Sequence, residues 1–307
     1  MLAEGYEGFA AIQTKRLIND DSYLVIQHNP RRIRSTAAPV DRQSVAARGC
    51  FLCAESLPPE EKGLEFGNLI LLCNPFPVLD RHLSIVHRDH VEQKIEGNLE
   101  MLLALAAELS PAYFVLYNGP QCGASAPDHL HFQACSRRLL QIEESVRNTE
   151  SSNTESCSTC QESANQGLEL FTLRDTGRSV IVFRTGSDDE LTGWVYSTLS
   201  HLPTPIEGGE PMVNIICTFD QNLWTLYLFP RTRHRPSCFF AEGEKQLLIS
   251  PGAIDMAGVV VVPHRDHFDR VDSATIEQIF SEVSLSEVET NEVTERVCIA
   301  MGVEQAG

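Results

Sequence analysis

The stretch that decides the fold is PDHLHFQACSR, residues 127–137. His129, His131 and Gln133 alternate there with Leu130, Phe132 and Ala134. Side chains of a β-strand point alternately to its two faces, so the spacing predicts a strand with the two imidazoles and the amide on one face. Phe132 and its neighbours then point into a core. The plain alternative is a half-buried strand whose wet face carries two histidines without a task. The chain has ten histidines in all, and two in a row with a glutamine is an arrangement that chemistry could use.

Working outward, apolar runs bounded by turn residues predict further strands at Tyr23–Gln27, Asn68–Cys73, His82–His87 and Ala112–Tyr117. Between the last two, Leu99, Leu102, Leu103, Ala106 and Leu109 recur at helical spacing, and Pro111 marks the stop. The order strand, strand, helix, strand, strand predicts an α+β layer with a helix packed on an antiparallel sheet. The run 141–167 is rich in Ser, Thr, Asn and Glu and reads as an exposed polar loop or linker. Beyond it, strands are expected at Ser179–Arg184, Met212–Phe219, Leu223–Phe229 and Ala257–Val262, and a helix at Ser273–Ser281.

The second half echoes the first. HLSIVHRDHVEQ (82–93) parallels VVVVPHRDHFDR (259–270), and AYFVLYN with HLHFQ parallels MVNIICTFDQNLWTLYLFPR. The counterpart of HLHFQ lacks the histidines. The expected organisation is a duplication: a catalytic half over 1–140, a connector over 141–167 and a degenerate half over 168–307.

Composition sets limits. A chain of 307 residues, 42% hydrophobic and 21% charged, is that of an ordinary globular protein. Twenty-four basic against 42 acidic residues give a net charge of −18, which argues against a general nucleic-acid surface. No apolar run reaches the roughly 20 residues that span a bilayer, and the start MLAEGYEGFAAIQTKR has no secretory design. A cytoplasmic protein without nucleic-acid or membrane partners is expected, with a homodimer left open. In a reducing compartment its ten cysteines are metal ligands or small core residues before they are disulfides.

The HxHxQ row, the Asn-Gly turn before it (YNGPQCGAS, 117–125), the CFLC segment (50–53) and the duplicated α+β unit resemble the histidine triad superfamily. The nearest branch holds galactose-1-phosphate uridylyltransferases, diadenosine tetraphosphate phosphorylases and GDP-hexose phosphorylases. The strong match runs over roughly 23–135. The resemblance implies a nucleotidyltransferase in which His131 attacks the α-phosphorus of a nucleotide and forms a nucleotidyl-histidine. Gln133 would donate to a non-bridging oxygen. The substrates implied are a nucleotide sugar or dinucleoside polyphosphate and a phosphate-bearing acceptor, a hexose-1-phosphate or inorganic phosphate.

By the same resemblance Cys50, Cys53, His90 and His129 would hold a structural Zn2+, a closed set of two thiolates and two imidazoles. His87 competes for one place, and Cys157 with Cys160 is a second CxxC pair. Phe51, Asn74 and Phe76 would meet base and ribose. Arg31, Arg32 and Arg34 of NPRRIRS would meet phosphates, as would Asn118 and Ser125. PRTRHRP (230–236) is a further basic knot. Leu130 stands where the uridylyltransferases carry a proline, which leaves base, sugar and acceptor open. A non-catalytic nucleotide sensor and a nucleotide hydrolase are the competing functions.

Overall fold

The structure, a computed structural model, describes residues 2–19, 22–58, 61–151, 161–162, 167–205 and 209–303. The chain opens with α1 (Leu2–Ala10), β1 (Gln13–Asn19), β2 (Ser22–His28), α2 (Ile33–Thr36) and α3 (Arg42–Ala47). A first sheet unit follows: β3 (Leu64–Phe66), β4 (Leu69–Cys73), β5 (Leu83–His87), α4 (Leu99–Glu108), β6 (Tyr113–Asn118) and β7 (His131–Ser136). Next come α5 (Gln141–Ser151) and β8 (Gln161–Glu162). The second unit is β9 (Glu169–Asp175), β10 (Arg178–Thr185), α6 (Asp188–His201), β11 (Val213–Asp220) and β12 (Leu223–Pro230). The chain closes with α7 (Ala253–Met256), β13 (Val259–Val262), α8 (Arg265–Arg270), α9 (Ser273–Val283) and α10 (Glu287–Ala300).

Ten strands form one antiparallel sheet in the order β3-β4-β5-β7-β6-β11-β12-β10-β9-β8. Its first half reads β4-β5-β7-β6 and its second, mirrored, β9-β10-β12-β11, so the strands repeat about the central β6–β11 pair. There Leu116 opposes Ile216. Leu116 also opposes Gln133, and Ile216 opposes Tyr227. The register therefore equates Gln133 with Tyr227 and, two residues back, His131 with Thr225. The α+β expectation and the duplication both hold.

The two faces of the sheet are filled differently. One buries α4 through Leu99, Leu102, Leu103, Leu105 and Ala106, and α6 through Leu191, Trp194, Val195 and Leu199. Phe132, Ala134, Leu226 and Leu228 meet these helices. At ~1.5–3 kcal/mol for each large apolar side chain removed from water, this layer holds the sheet together. The other face is covered over the second unit by Ile142 and Val146 of α5, by β13 and by α9. Over the first unit Phe114, Leu116 and Cys135 are buried in the same layer, and a cavity remains above His131 and Gln133.

Two sequence expectations change, and one helix is added. The HRDH echo does not mark equivalent strands: Val259–Val262 pairs in parallel with β2 in a separate sheet of order β1-β2-β13, and the following His264–His267 segment turns into α8. The counterpart of β5 is β10. The polar run beginning at 141 is helical through Ser151, with Gln141, Ile142, Glu143 and Val146 buried, because four inward positions suffice to dock a helix that is polar elsewhere. Residues 152–160 and 163–166, including Cys157 and Cys160, lie outside the described residues. Finally α6, unread in the sequence, supplies the second unit's helix. No described helix is long and apolar enough to cross a membrane.

Candidate active site and metal centre

The open face of the first unit forms the floor of a cavity of about 490 Å3. His131, Gln133, Ser84, Leu72 and Asn74 rise from the sheet, and Asn118, Gly123, Ala124 and Ser125 come from the turn before β7. Phe51, Leu52 and Phe76 form one wall. Arg32, Arg34 and Thr36 form another, facing His234, Arg235, Ser250 and Gly252 of the second half.

The protonation of His131 can be read from its partners. Its Nδ1 lies 2.8 Å from the carbonyl oxygen of His129. A carbonyl only accepts, so Nδ1 carries the proton and Nε2 is the bare lone-pair nitrogen. Burial holds its pKa below the usual imidazole value, which keeps the ring neutral and nucleophilic near pH 7. The strand beneath is pinned by Gln93, whose Oε1 accepts the His131 N–H at 2.8 Å. The Gln93 amide donates to the carbonyls of Asn118 and His131 at 2.9 and 3.2 Å.

Gln133 is oriented in the same way. The Val78 N–H donates to His82 Nδ1 at 3.1 Å, so His82 must carry its proton on Nε2. That N–H donates to Gln133 Oε1 at 2.7 Å. With its oxygen taken, Gln133 offers its NH2 group as the free end. Burial and the Arg32 guanidinium push the His82 pKa down to about 3, so it stays neutral at any working pH.

Beside the cavity, one ligand atom from each of Cys50, Cys53, His90 and His129 lies within 4.8 Å of the others. Cys50 Sγ is 3.2 Å from His129 Nδ1, and Cys53 Sγ is 3.2 Å from His90 Nδ1. His129 Nε2 donates to the carbonyl of His87 at 2.8 Å, which leaves Nδ1 unprotonated and aimed at the sulfurs. Two thiolates and two imidazoles so oriented can hold a metal ion and suit tetrahedral binding. His87 is not in the set: its Nδ1 accepts the Asp89 N–H at 3.1 Å.

Residues 149–304 match the family described as GDPGP1-like, C-terminal domain. The chain belongs to the GDPGP1-like family. Residues 1–136 of this GDPGP1-like chain match a domain of unknown function, DUF4922. No curated protein matches it. Among solved structures it is similar to yeast Ap4A phosphorylase Apa2 in complex with AMP, at 16% identity and a TM-score of 0.56, over 92% of this chain and 96% of that one. The same yeast protein without a named ligand gives 15%, 0.53, 93% and 94%; in complex with Ap4A it gives 14%, 0.51, 93% and 97%. The likeness is one of fold, and the resemblance read from the HxHxQ row is borne out.

Of the residues singled out in the GDPGP1-like sequence, His131, Gln133, Arg32, Arg34, Phe51, Asn74, Phe76, Asn118 and Ser125 all line the cavity. Arg31 does not; it is exposed, against Gly8 of α1. The strand also begins later than the alternation suggested: His129 sits in the turn before β7, where the metal set needs it. Asn74 fixes the NPFP turn, accepting the Phe76 N–H at 2.9 Å and donating to Ser84 at 3.0 Å. Sequence reasoning missed His82 and Gln93. It also missed Arg48, which stacks on Phe51 at 5.0 Å and donates to the Ser125 carbonyl at 2.7 Å. Asp255 was missed too; burial pushes its carboxyl up to about 6 in the cavity wall, where it accepts the N–H groups of Val261 and Gly252. His82 and Gln93 bound the HLSIVHRDHVEQ stretch, whose echo gave them no role, and Arg48 and Asp255 lie in no quoted motif; only contact reveals what the four do.

Proposed function

We propose that the protein is a nucleotidyltransferase working through a nucleotidyl-His131 intermediate. The observation that carries this reading is the neutral His131, with Nδ1–H on the His129 carbonyl and Nε2 unprotonated at the cavity floor. The Nε2 lone pair would form a bond to the α-phosphorus as the bond to the leaving phosphate oxygen breaks. That oxygen departs with the electron pair as part of a phosphate anion, which is stable near neutral pH without a proton. The ring becomes a cationic imidazolium whose Nδ1–H still donates to the His129 carbonyl, which stabilises it. An oxygen of an incoming phosphate then attacks phosphorus, the N–P bond breaks, and His131 returns to its neutral form.

Charge grows on the non-bridging oxygens at each step. The NH2 group of Gln133 would donate to one of them, held in place by His82. A glutamine cannot shuttle protons, which favours an ionised phosphate acceptor over water. Phe51 and Phe76 offer apolar faces for a base, and Arg32 and Arg34 offer guanidinium groups for phosphates. The substrate class that fits is a nucleotide sugar or dinucleoside polyphosphate, with inorganic phosphate or a hexose-1-phosphate as acceptor. AMP and Ap4A in the crystals of the yeast fold relative support a nucleotide in this cavity. Cys50, Cys53, His90 and His129 would hold Zn2+, which supplies a fixed turn under Phe51 and Leu52 and no redox chemistry.

Intact mass spectrometry after incubation with ATP, GDP-glucose, UDP-glucose and diadenosine tetraphosphate tests the reading. One nucleoside monophosphate per chain, lost in His131→Ala, is the expected result. No adduct under any of these conditions would favour a nucleotide sensor, and an adduct that survives His131→Ala would refute the mechanism.

A further inference from the structure

The catalytic-side turn and the second half of the chain meet at one amide. Asn118, at the end of β6, is 8% exposed and lines the cavity. Its Oδ1 accepts the backbone N–H of Ala253 at 2.8 Å and the side-chain Nδ2 of Asn214 at 2.8 Å. Both donors belong to the second half. A backbone N–H can only donate, so the atom facing Ala253 must be the oxygen. The Asn118 Nδ2 is therefore turned away from it and has no partner among the described residues.

Asn214 is equally determinate. Its Nδ2 also donates to the Cys122 carbonyl at 2.5 Å, and its Oδ1 accepts from Arg231 Nη1 at 2.5 Å. Arg231 is 2% exposed; Asp255 acts on it electrostatically, while its hydrogen bonds among the described residues go to amide and carbonyl oxygens. Its guanidinium is surrounded by the carbonyls of Val283, Pro251, Arg233 and His234 besides Asn214. Each contact in this chain has only one allowed direction, from Arg231 to Asn214 to Asn118. The space around Asn118 permits little else: a Cβ on Gly123, whose φ is +111°, or on Gly252 would come within 3.1 Å of its Oδ1.

We propose that Asn214 and Arg231 are positioning residues for the transfer reaction. They fix the Asn118 amide so that Nδ2 presents an N–H to a phosphate oxygen at His131. The half without the histidine row thus sets one of the donors of the half that has it. This rests on the covalent reading above and deepens it.

A double-mutant cycle tests the proposal. Asn214→Asp keeps the size of the side chain and an acceptor for Arg231, and lacks the N–H that Asn118 needs. Single-turnover labelling of His131 at saturating nucleotide should fall roughly 10²-fold in Asn214→Asp and in Asn118→Ala, the scale of one lost oxyanion donor. The double variant should be no slower than Asn118→Ala. A wild-type rate in Asn214→Asp, or a double variant slower by the product of the two single losses, would overturn the relay. The rate is taken per folded protein, so a merely structural defect would lower yield and melting temperature without moving it. If Asn214→Asp does not fold, Asn214→Ala runs the same cycle. The cycle is also read on the Kd for AMP and GMP, where each single variant should weaken binding about tenfold, the size of one charge-assisted hydrogen bond, and the double variant no further. Absence of labelling in the wild-type protein would sink the covalent reading alone; additive losses in Kd would then sink the relay.

Discussion

Strands β7 and β12 occupy equivalent places in the duplicated sheet, and they differ in what lies above them. Over β7 the face opposite the helices borders the cavity, and it carries His131 and Gln133. Over β12 the same face is roofed by α5, β13 and α9, and the equivalent positions are Thr225 and Tyr227, with Tyr227 4% exposed in the core. The helix side is apolar in both units. The lesson is that a duplicated sheet is asymmetric through its covering layer: one copy borders a cavity with its histidine and glutamine, and the other gives the equivalent tyrosine to the core. Yet the roofed copy still reaches the cavity with Ser250, Gly252 and Asp255, and it anchors Asn118.

The largest expected effect breaks this comparison at its centre. His131→Ala should abolish the adduct. Transplanting the row with Thr225→His and Tyr227→Gln should create none, because the cavity does not extend to that face, and it should lower the melting temperature by burying an amide without partners at position 227. An adduct on the transplanted row would show that the open cavity is not what separates the halves.

A second measurement sharpens the role of the amide. Gln133→Ala should slow labelling by roughly 10²–10³. His82→Phe, which fills the site and removes the N–H to Gln133 together with the acceptor of the Val78 N–H, should slow it by less and leave nucleotide binding nearly unchanged. Equal binding loss in both would mean that His82 acts through the shape of the cavity. The pH profile adds a check. Burial depresses the His131 pKa, so the neutral form persists below the usual imidazole range, and the labelling rate should fall only at a pH below that range.

The metal set belongs to the first unit alone among the described residues. Elemental analysis should find about one Zn2+ per chain, and Cys50→Ser with Cys53→Ser should remove it and lower the melting temperature. Full occupancy in that double variant would refute the site.

The smallest effect lies at the junction of the units. Glu210, just before β11, accepts the Tyr117 hydroxyl at 2.6 Å and the Ile95 N–H at 2.5 Å, and burial pushes its carboxyl from 4.5 up to about 7. A carboxyl with a raised folded pKa binds more protons folded than unfolded. Its contribution to stability is therefore present at low pH and declines as pH rises from about 4.5 to about 7. Melting temperatures measured across that window should fall with pH in the wild-type protein and less steeply in Glu210→Gln. Identical slopes would remove Glu210 as the cause.

Much of this was legible in the residues. Strands β4, β5, β6, β7, β11 and β12 and helix α4 announce themselves because apolar periodicity and burial are local consequences of one another. Helix α6 went unread although its signals are local: Ser187 caps it by accepting the Glu190 N–H, and Leu191, Trp194, Val195 and Leu199 keep helical spacing. Helix α10 was less so, since Thr290 and Thr294 occupy buried positions where apolar residues would signal a face. The HRDH echo misled because two short segments can share letters while their strands pair with different partners.

The sequence by itself determined the chemistry that depends on residue type and near spacing: the HxHxQ row, the CxxC turn, the arginines after β2 and the repeated sheet. Only the tertiary structure decided which nitrogen of His131 is bare, which end of Gln133 and Asn118 is left without a partner among the described residues, and that His90 rather than His87 joins the Cys50, Cys53 and His129 cluster. Those outcomes hang on hydrogen bonds from distant partners such as Val78 to His82 and Ala253 to Asn118. A proton's place on an imidazole, or the sense of an amide, is set by whichever donor or acceptor folding brings alongside, and no spacing along the chain encodes it.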